Sequence, residues 1–209
     1  MPNWCDNSLS LRHSDPEMIK RAEAAVGRGE LLNEFVPVPE ALKIVAGSVG
    51  DPVEQAKLEA DTARNVEQLG YGNWYDFCSG VWGTKWDVDA EIINKEDDLI
   101  EMTFQSAWAP PTGWYDKMTE LGFDVDAYYY EGGMGFCGHY HDGNDDYYEV
   151  GATSKETKET VPSDIDDCFG ISEYQYEYEQ ENRDELQVWI EDAVEAKQPS
   201  IVHTKMEDA

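Results

Sequence analysis

Two alternating runs joined by a polar turn constrain this chain most. In WDVDAEII, Trp86, Val88, Ala90 and Ile92 share one face, and Asp87, Asp89 and Glu91 share the other. Lys95-Glu96-Asp97-Asp98 follows as a turn. In LIEMTF, Ile100, Met102 and Phe104 again fall together. Successive strand side chains point to opposite faces, so the pattern predicts a hairpin with one apolar side. That side must be covered, and the flanking sequence offers helices to cover it.

Upstream, SLSLRH reads as a short strand with Leu9 and Leu11 together. In SDPE, either Ser14 caps with Glu17 three residues on, or Asp15 caps with Pro16 in the first turn. The helix that follows lines up Ile19, Ala22 and Val26 and stops near Gly27. Downstream, AWAPPTGW ends the second hairpin strand. Trp114, Met118 and Leu121 predict a short helix closed by Gly122. FDVDAYYYEGG and GFCGHYHDGNDDYYEV predict a further strand and a last hairpin.

The order strand, helix, strand, strand, helix, strand predicts an α+β fold. Its form is a ferredoxin-like split βαβ sandwich, an antiparallel sheet with helices on one face. This unit spans residues 1–150, with an insertion after the first helix at about 30–85. In the insertion, ELLNEFVPVPEAL is expected to run extended and to lay Leu32, Phe35 and Val38 on the core. Asp51-Pro52 opens a polar helix that ends before Gly70 and docks through Val53, Ala56, Ala60, Ala63 and Val66.

Residues 151–209 are expected to pack on the same domain as an acidic C-terminal strand-plus-helix extension. ISEYQYEYEQ alternates strictly, with Tyr174, Tyr176 and Tyr178 opposite Glu173, Glu177 and Glu179. A helix then starts at Asn182, carries Leu186, Trp189, Ile190 and Ala193, and ends before Pro199.

Charge limits the partners. The chain carries 15 Lys+Arg against 45 Asp+Glu, a formal net charge of −30. Such a surface repels phosphate backbones and anionic lipid, which leaves a basic protein partner or divalent cations. The four cysteines lie far apart with no C-x-x-C, so reduced thiols are expected. MPNWCDNSLSL has no basic stretch before an apolar run, and no apolar run approaches a membrane span; a cytoplasmic protein is expected.

Cys137, His139 and His141 form C-x-H-x-H and would share one face of a strand, a set suited to zinc. Adjacent positions on that face lie ~7 Å apart, wide for one ion. GNDDYYE lacks the order of a calcium loop and reads as a hairpin turn. The glycines of YEGGMGFCG are not a dinucleotide fingerprint and read as a bulge or turn. No nucleophile elbow and no H-E-x-x-H occurs, so no enzyme activity and no cofactor is indicated.

Four motifs together resemble the YubB-like family: MPNWCDN, VPVPEAL, VWGTKWD and SAWAPPTGW. YYYEGGMGFCG fits the strand that follows in that family. The resemblance covers about residues 1–150. It implies a ferredoxin-like domain of a plasmid or phage accessory protein with no assigned activity.

Three functions remain open. The first is a non-enzymatic accessory protein that binds and inhibits a host nucleic-acid-handling or defence protein, with carboxylates placed like phosphates. Its contacts would be Glu173, Glu177 and Glu179, with Asp164, Asp166 and Asp167 as a second patch. The second is a module for a nucleotide signal, with Trp74, Trp82, Trp86 and Trp108 stacking on a base beside Lys85. The third is a metal-dependent enzyme at Cys137, His139 and His141. For NWYDFCSGVWGTKWDVD itself, large aromatics at a strand entry are expected to be a structural clasp.

Overall fold

The computed structural model describes residues 3–183. Its centre is strand β1 (Trp4–Arg12), which pairs antiparallel over most of its length with β3 (Leu99–Ala107) on one side and β4 (Asp124–Glu131) on the other. The hairpin partner of β3 is β2 (Glu91–Lys95). Beyond β4 come β5 (Phe136–His141) and β6 (Asn144–Glu149). The sheet is antiparallel, in the order β2-β3-β1-β4-β5-β6. The fold is therefore α+β. The β5–β6 turn uses Asp142 and Gly143, both at positive φ, as a two-residue hairpin with the right-handed twist of its strands requires.

Helix α1 (Pro16–Val26) starts at Asp15, whose carboxylate accepts from Glu17 N at 3.0 Å. It buries Ile19, Ala22 and Ala25. Helix α5 (Thr112–Glu120) buries Trp114, Tyr115 and Met118, while Leu121 stays exposed. These side chains close over Leu9, Leu11, Ile100, Met102 and Ala127 to make the main core.

The connection from α1 to β2 departs from an extended segment. Leu31–Phe35 is a helical turn, α2, and Glu40–Leu42 a 3-10 turn. The prolines at 37 and 39 do confine the chain between the two. The turn forms upstream of them because the Asp87 carboxylate accepts from Leu32 N at 2.8 Å and Asn33 N at 2.9 Å. Leu31, Leu32 and Phe35 reach the core as the apolar pattern requires.

Helix α3 (Pro52–Leu69) is bounded by Asp51 and by Gly70 in the left-handed region. It docks through a different stripe from the small apolar one. Asn65 is its buried residue and donates to Ala41 O at 2.8 Å, while Val53 and Val66 are exposed. A backbone carbonyl left in the insertion needs a donor, and a small apolar side chain cannot supply one. Helix α4 (Trp74–Phe77) continues into a π-helical turn, Cys78–Trp82.

The C-terminal part corrects two expectations. Residues 171–183 form a helix, and with α6 (Ser154–Thr160) and α7 (Ser163–Phe169) it gives the molecule a second helical layer. These helices do not join α1 and α5. Val161, Ile165 and Ile171 pack with Cys137, Tyr128, Tyr130 and Tyr148 on the opposite face of the sheet. Helices thus lie on both faces at the β4–β5 end. The helix expected from Asn182 to Pro199 falls largely outside the described residues. Among the described residues, no helix is long and apolar enough to cross a membrane.

Candidate functional site: an acidic sheet face with a tryptophan rim

Alternation along β1 buries Cys5, Asn7, Leu9 and Leu11 and turns Trp4, Asp6, Ser8, Ser10 and Arg12 the other way. Register extends this second face across the sheet. Gln105, Thr103 and Glu101 lie beside Asp6, Ser8 and Ser10 on β3. Tyr128, Asp126 and Asp124 lie beside Ser8, Ser10 and Arg12 on β4. His139 and His141 follow on β5. Among the described residues, α7 and the segments beside it cover the β4–β5 end of this face, and Cys168 reaches Ser8 of β1. The described residues leave the rest as an open, polar floor.

Its carboxylates are held by neutral or weakly basic neighbours. Gln105 Nε2 donates to Asp6 at 2.8 Å and Asn94 Nδ2 to Glu101 at 2.8 Å. His139 Nε2 lies 3.1 Å from Asp126, and His141 Nε2 lies 3.1 Å from Asp146. The hydrogen bond to Asp146 raises the His141 pKa. Among the described residues, Arg12 is the one strong cation facing this floor from its strands. Arg21 and Arg28 clamp Glu34, Lys43 meets Glu40, Arg64 meets Asp61 and Lys117 meets Glu120, all on the helical side or in the insertion. The six strands contain just two Lys or Arg residues, and one of them, Lys95, is drawn to Glu23 of α1 at 2.6 Å.

At one end the floor deepens into a cleft of about 690 Å³. Trp4 and Trp86 stand on one side, and Cys168 and Phe169 of α7 on the other. Asp6, Ser8, Thr103 and Gln105 form its base, with Asp87, Asp89 and Glu91 also at its edge. Among the described residues, no Lys or Arg lines it. The Trp4 and Trp86 rings are 6.3 Å apart and tilted by 36°. Lys85 Nζ sits 4.3 Å from the Trp86 ring centre, 5.1 Å from Trp108 and 5.6 Å from Tyr75. Trp4, Trp86 and Trp108 are 45%, 40% and 43% exposed, unusually wet for indoles. Trp108 also has φ +70°, a conformation that costs a bulky side chain energy. It is held there by its N–H to Asn3 O at 2.9 Å.

The tryptophans read from the sequence therefore divide. Trp82 is buried and donates from Nε1 to Val36 O at 2.9 Å, and Trp74 packs at the edge of the core. Those two are the structural clasp. Gly83, at φ +89°, turns the chain, and Thr84 Oγ1 bonds both the N–H and the C=O of Ala107 at 3.0 Å. Trp86 does not share the inward face with buried Val88. The chain from 83 to 90 is irregular and β2 begins only at Glu91, so strand parity does not apply at Trp86. Lys85, Trp86 and Trp108 do come together. Trp4, Tyr75, Asp6, Asp89 and Glu91 were not singled out. Trp4 was within reach, because counting back from Leu9 in steps of two already places it off the buried face.

The acidic candidates divide as well. Glu173, Glu177, Asp164 and Asp167 are exposed, and Asp164 accepts from Tyr128 Oη at 3.2 Å beside the open face. Asp166 is not a surface contact. It is buried and accepts from Ser172 N at 2.7 Å and Ser172 Oγ at 2.5 Å, closing the start of the 171–183 helix. Glu179 is used in the same way by Ser154 N and Oγ, at 2.7 and 2.9 Å. The metal candidates are not assembled. Cys137 is packed in the second core with its thiol pKa raised by burial to about 11. His139 stacks on Tyr128 at 4.1 Å. Among the described residues, no group of three or more such ligands is placed to hold a metal.

No family model matches the sequence. No curated protein matches it either. Among solved structures, the crystal structure of protein api92 from Yersinia pseudotuberculosis, described as family-model DUF1281, is similar at a TM-score of 0.40 and 11% identity, over 73% of this chain and 99% of that one.

Proposed function

We propose that this chain is a non-catalytic accessory protein, of the YubB-like kind carried by plasmids and phages, that binds a basic surface on a host protein through its open sheet face. The host protein would handle nucleic acid or serve defence in the cytoplasm, and binding would inhibit it. The order β2-β3-β1-β4 with α1 and α5 on one face supports a ferredoxin-like unit, to which β5, β6 and the C-terminal helices add.

One observation carries the docking reading: the charge is sorted. Most of the ion pairs of lysine and arginine lie on the helical side or in the insertion, while the open face keeps Asp6, Glu101, Asp124 and Asp126 with Arg12 alone among strong cations facing it from its strands. A basic partner would meet it with favourable steering, and salt would slow association. A nucleotide suits the site less, because no Lys or Arg among the described residues lines the cleft to compensate a phosphate. Mimicry by a strand of glutamates loses its premise, since residues 171–183 are helical. Glu173 and Glu177 there are separated by a rise of ~6 Å.

The test is a charge-matched pair of variants titrated with an oligo-lysine peptide by calorimetry. Asp6→Asn/Glu101→Gln/Asp124→Asn/Asp126→Asn should weaken binding about tenfold. Glu17→Gln/Glu54→Gln/Glu59→Gln/Glu67→Gln, which removes equal charge from helices, should change it by about twofold at most. Equal losses in both would reduce the effect to net charge and defeat the proposal.

A further inference from the structure

The docking reading concerns a broad face; the cleft at its end makes a narrower demand. We infer that the recess between the Trp4–Trp86 pair and α7 seats a single arginine side chain of the protein partner as the anchor of that interface. This rests on the docking reading and specifies which partner group the site selects.

Three features select a guanidinium. The walls are aromatic: Trp4 and Trp86 on one side and Phe169 on the other. The rim and base are acceptors: Asp6, Asp89 and Glu91 have no Lys or Arg partner among the described residues. Lys85 shows that these rings attract a cation, because its ammonium lies 4.3 Å from the Trp86 centroid with no carboxylate paired to it among the described residues.

Arginine fits this combination better than lysine. Its planar head stacks on an indole face, is weakly hydrated, and presents five donors in the plane. An ammonium is a compact, strongly hydrated charge and gains less from a flat wall. Geometry also says how it would sit. A flat group between two rings needs ~7–8 Å between them, at ~3.5–4 Å per contact. The rings are 6.3 Å apart and tilted, so the guanidinium lies on one exposed indole face with its N–H groups toward the carboxylates. A cleft of about 690 Å³ holds one such side chain with part of its backbone. Trp4 and Trp86, both left about half exposed at the cleft, match the aromatic-arginine pairing of interface hot spots.

Oligo-arginine and oligo-lysine peptides of equal length separate this anchor from diffuse charge. The wild-type protein should bind the arginine peptide about tenfold more tightly. In Trp4→Leu/Trp86→Leu the two affinities should converge, with the lysine peptide held within about twofold of wild type. The sheet-face variant restricted to residues outside the cleft, Glu101→Gln/Asp124→Asn/Asp126→Asn, should weaken both peptides alike. In the wild type, the indole N–H signals of Trp4 and Trp86 should shift on titration with the arginine peptide and far less with lysine, a readout that needs no variant to fold. Equal affinity of the wild type for both peptides, unmoved indole signals, or a preference surviving in the double tryptophan variant would each overturn the anchor. The docking reading would survive any of these and would fall separately if the sheet-face variant bound both peptides like wild type.

Discussion

Asp87 accepts hydrogen bonds from Leu32, Asn33 and Val88 N–H groups at 2.8–2.9 Å. Burial nevertheless raises its pKa, so desolvation outweighs three favourable dipoles. One carboxylate thus closes the start of α2, whose own Glu30 makes no side-chain cap, and ties it to the entry of β2. Asp87→Ala should lower stability by about 2 kcal/mol in urea unfolding, the cost of a lost cap with two buried donors stranded. The adjacent contact at Gly113 is equally exacting. A Cβ there would meet Val81 O at 2.5 Å, a backbone atom that cannot swing aside. Gly113→Ala should therefore cost about 1–3 kcal/mol despite better helix propensity. Trp108 should behave oppositely. Trp108→Gly removes a strained φ along with a half-exposed ring, so stability should change by less than about 1 kcal/mol. A large loss would show Trp108 to be a packing residue and not a surface one. These roles were poorly legible in sequence for a physical reason. Asp87 stands in the alternating WDVD run like any outward acid, but its partners are 54 and 55 residues away, and no local pattern encodes them.

Among the elements, the strands were legible and the last described helix was not. Ile100, Met102 and Phe104 are buried as their spacing requires, because a half-covered strand has a single periodic solution. Residues 171–180 alternate just as strictly, yet they fold as a helix. A period of two contains every i, i+4 pair, so Ile171, Gln175 and Glu179 also line one helical face, and it is this face that turns inward. Gln175 Nε2 donates to Gly151 O at 2.8 Å, and Thr157 Oγ1 donates to Gln175 at 2.7 Å. Glu and Gln favour helix, and nothing β-branched follows Ile171 in that run to oppose it. The deciding interactions are caps by carboxylates, Asp166 on Ser172 six residues away and Glu179 on Ser154 twenty-five residues away. Asp166→Ala and Glu179→Ala should each cost about 1–2 kcal/mol by losing the cap of the 171–183 helix and of α6 respectively. Glu173→Gln/Glu177→Gln, on the solvent side, should leave stability within about 0.5 kcal/mol. Denaturation midpoints for the four substitutions would reverse this assignment if the solvent-side pair proved the costlier.

At the scale of the molecule, a charge of −30 is tolerated because it is arranged. The helical side offsets part of its charge with ion pairs, and the sheet side stays anionic, with two histidines among its carboxylates. The open face was legible only in outline: alternation marks which side of β1 is polar, but not that helices would leave most of it bare. This arrangement sets a direction for pH. His141 is raised above its ordinary 6.5 by Asp146, so the stability it contributes is complete below that value and is lost as pH rises through the folded-state value. Asp87 and Asp145 are raised by burial above the ordinary 3.8. Their charged forms burden the fold at neutral pH, and protonating them on the way down removes that burden. Glu34 is held below its ordinary 4.5, first by its hydrogen bond from Arg21, and its contribution disappears as pH falls through its folded-state value. Self-repulsion among carboxylates eases over the same acid range. The melting temperature at constant ionic strength should therefore rise from about pH 8 to about pH 5.5 and turn down below about pH 4. His141→Gln should flatten the upper part of that rise and leave the acid limb in place. A melting temperature that falls steadily from pH 8 would mean that paired, pKa-lowered carboxylates like Glu34 dominate, and that the charge sorting has no energetic counterpart in the isolated chain.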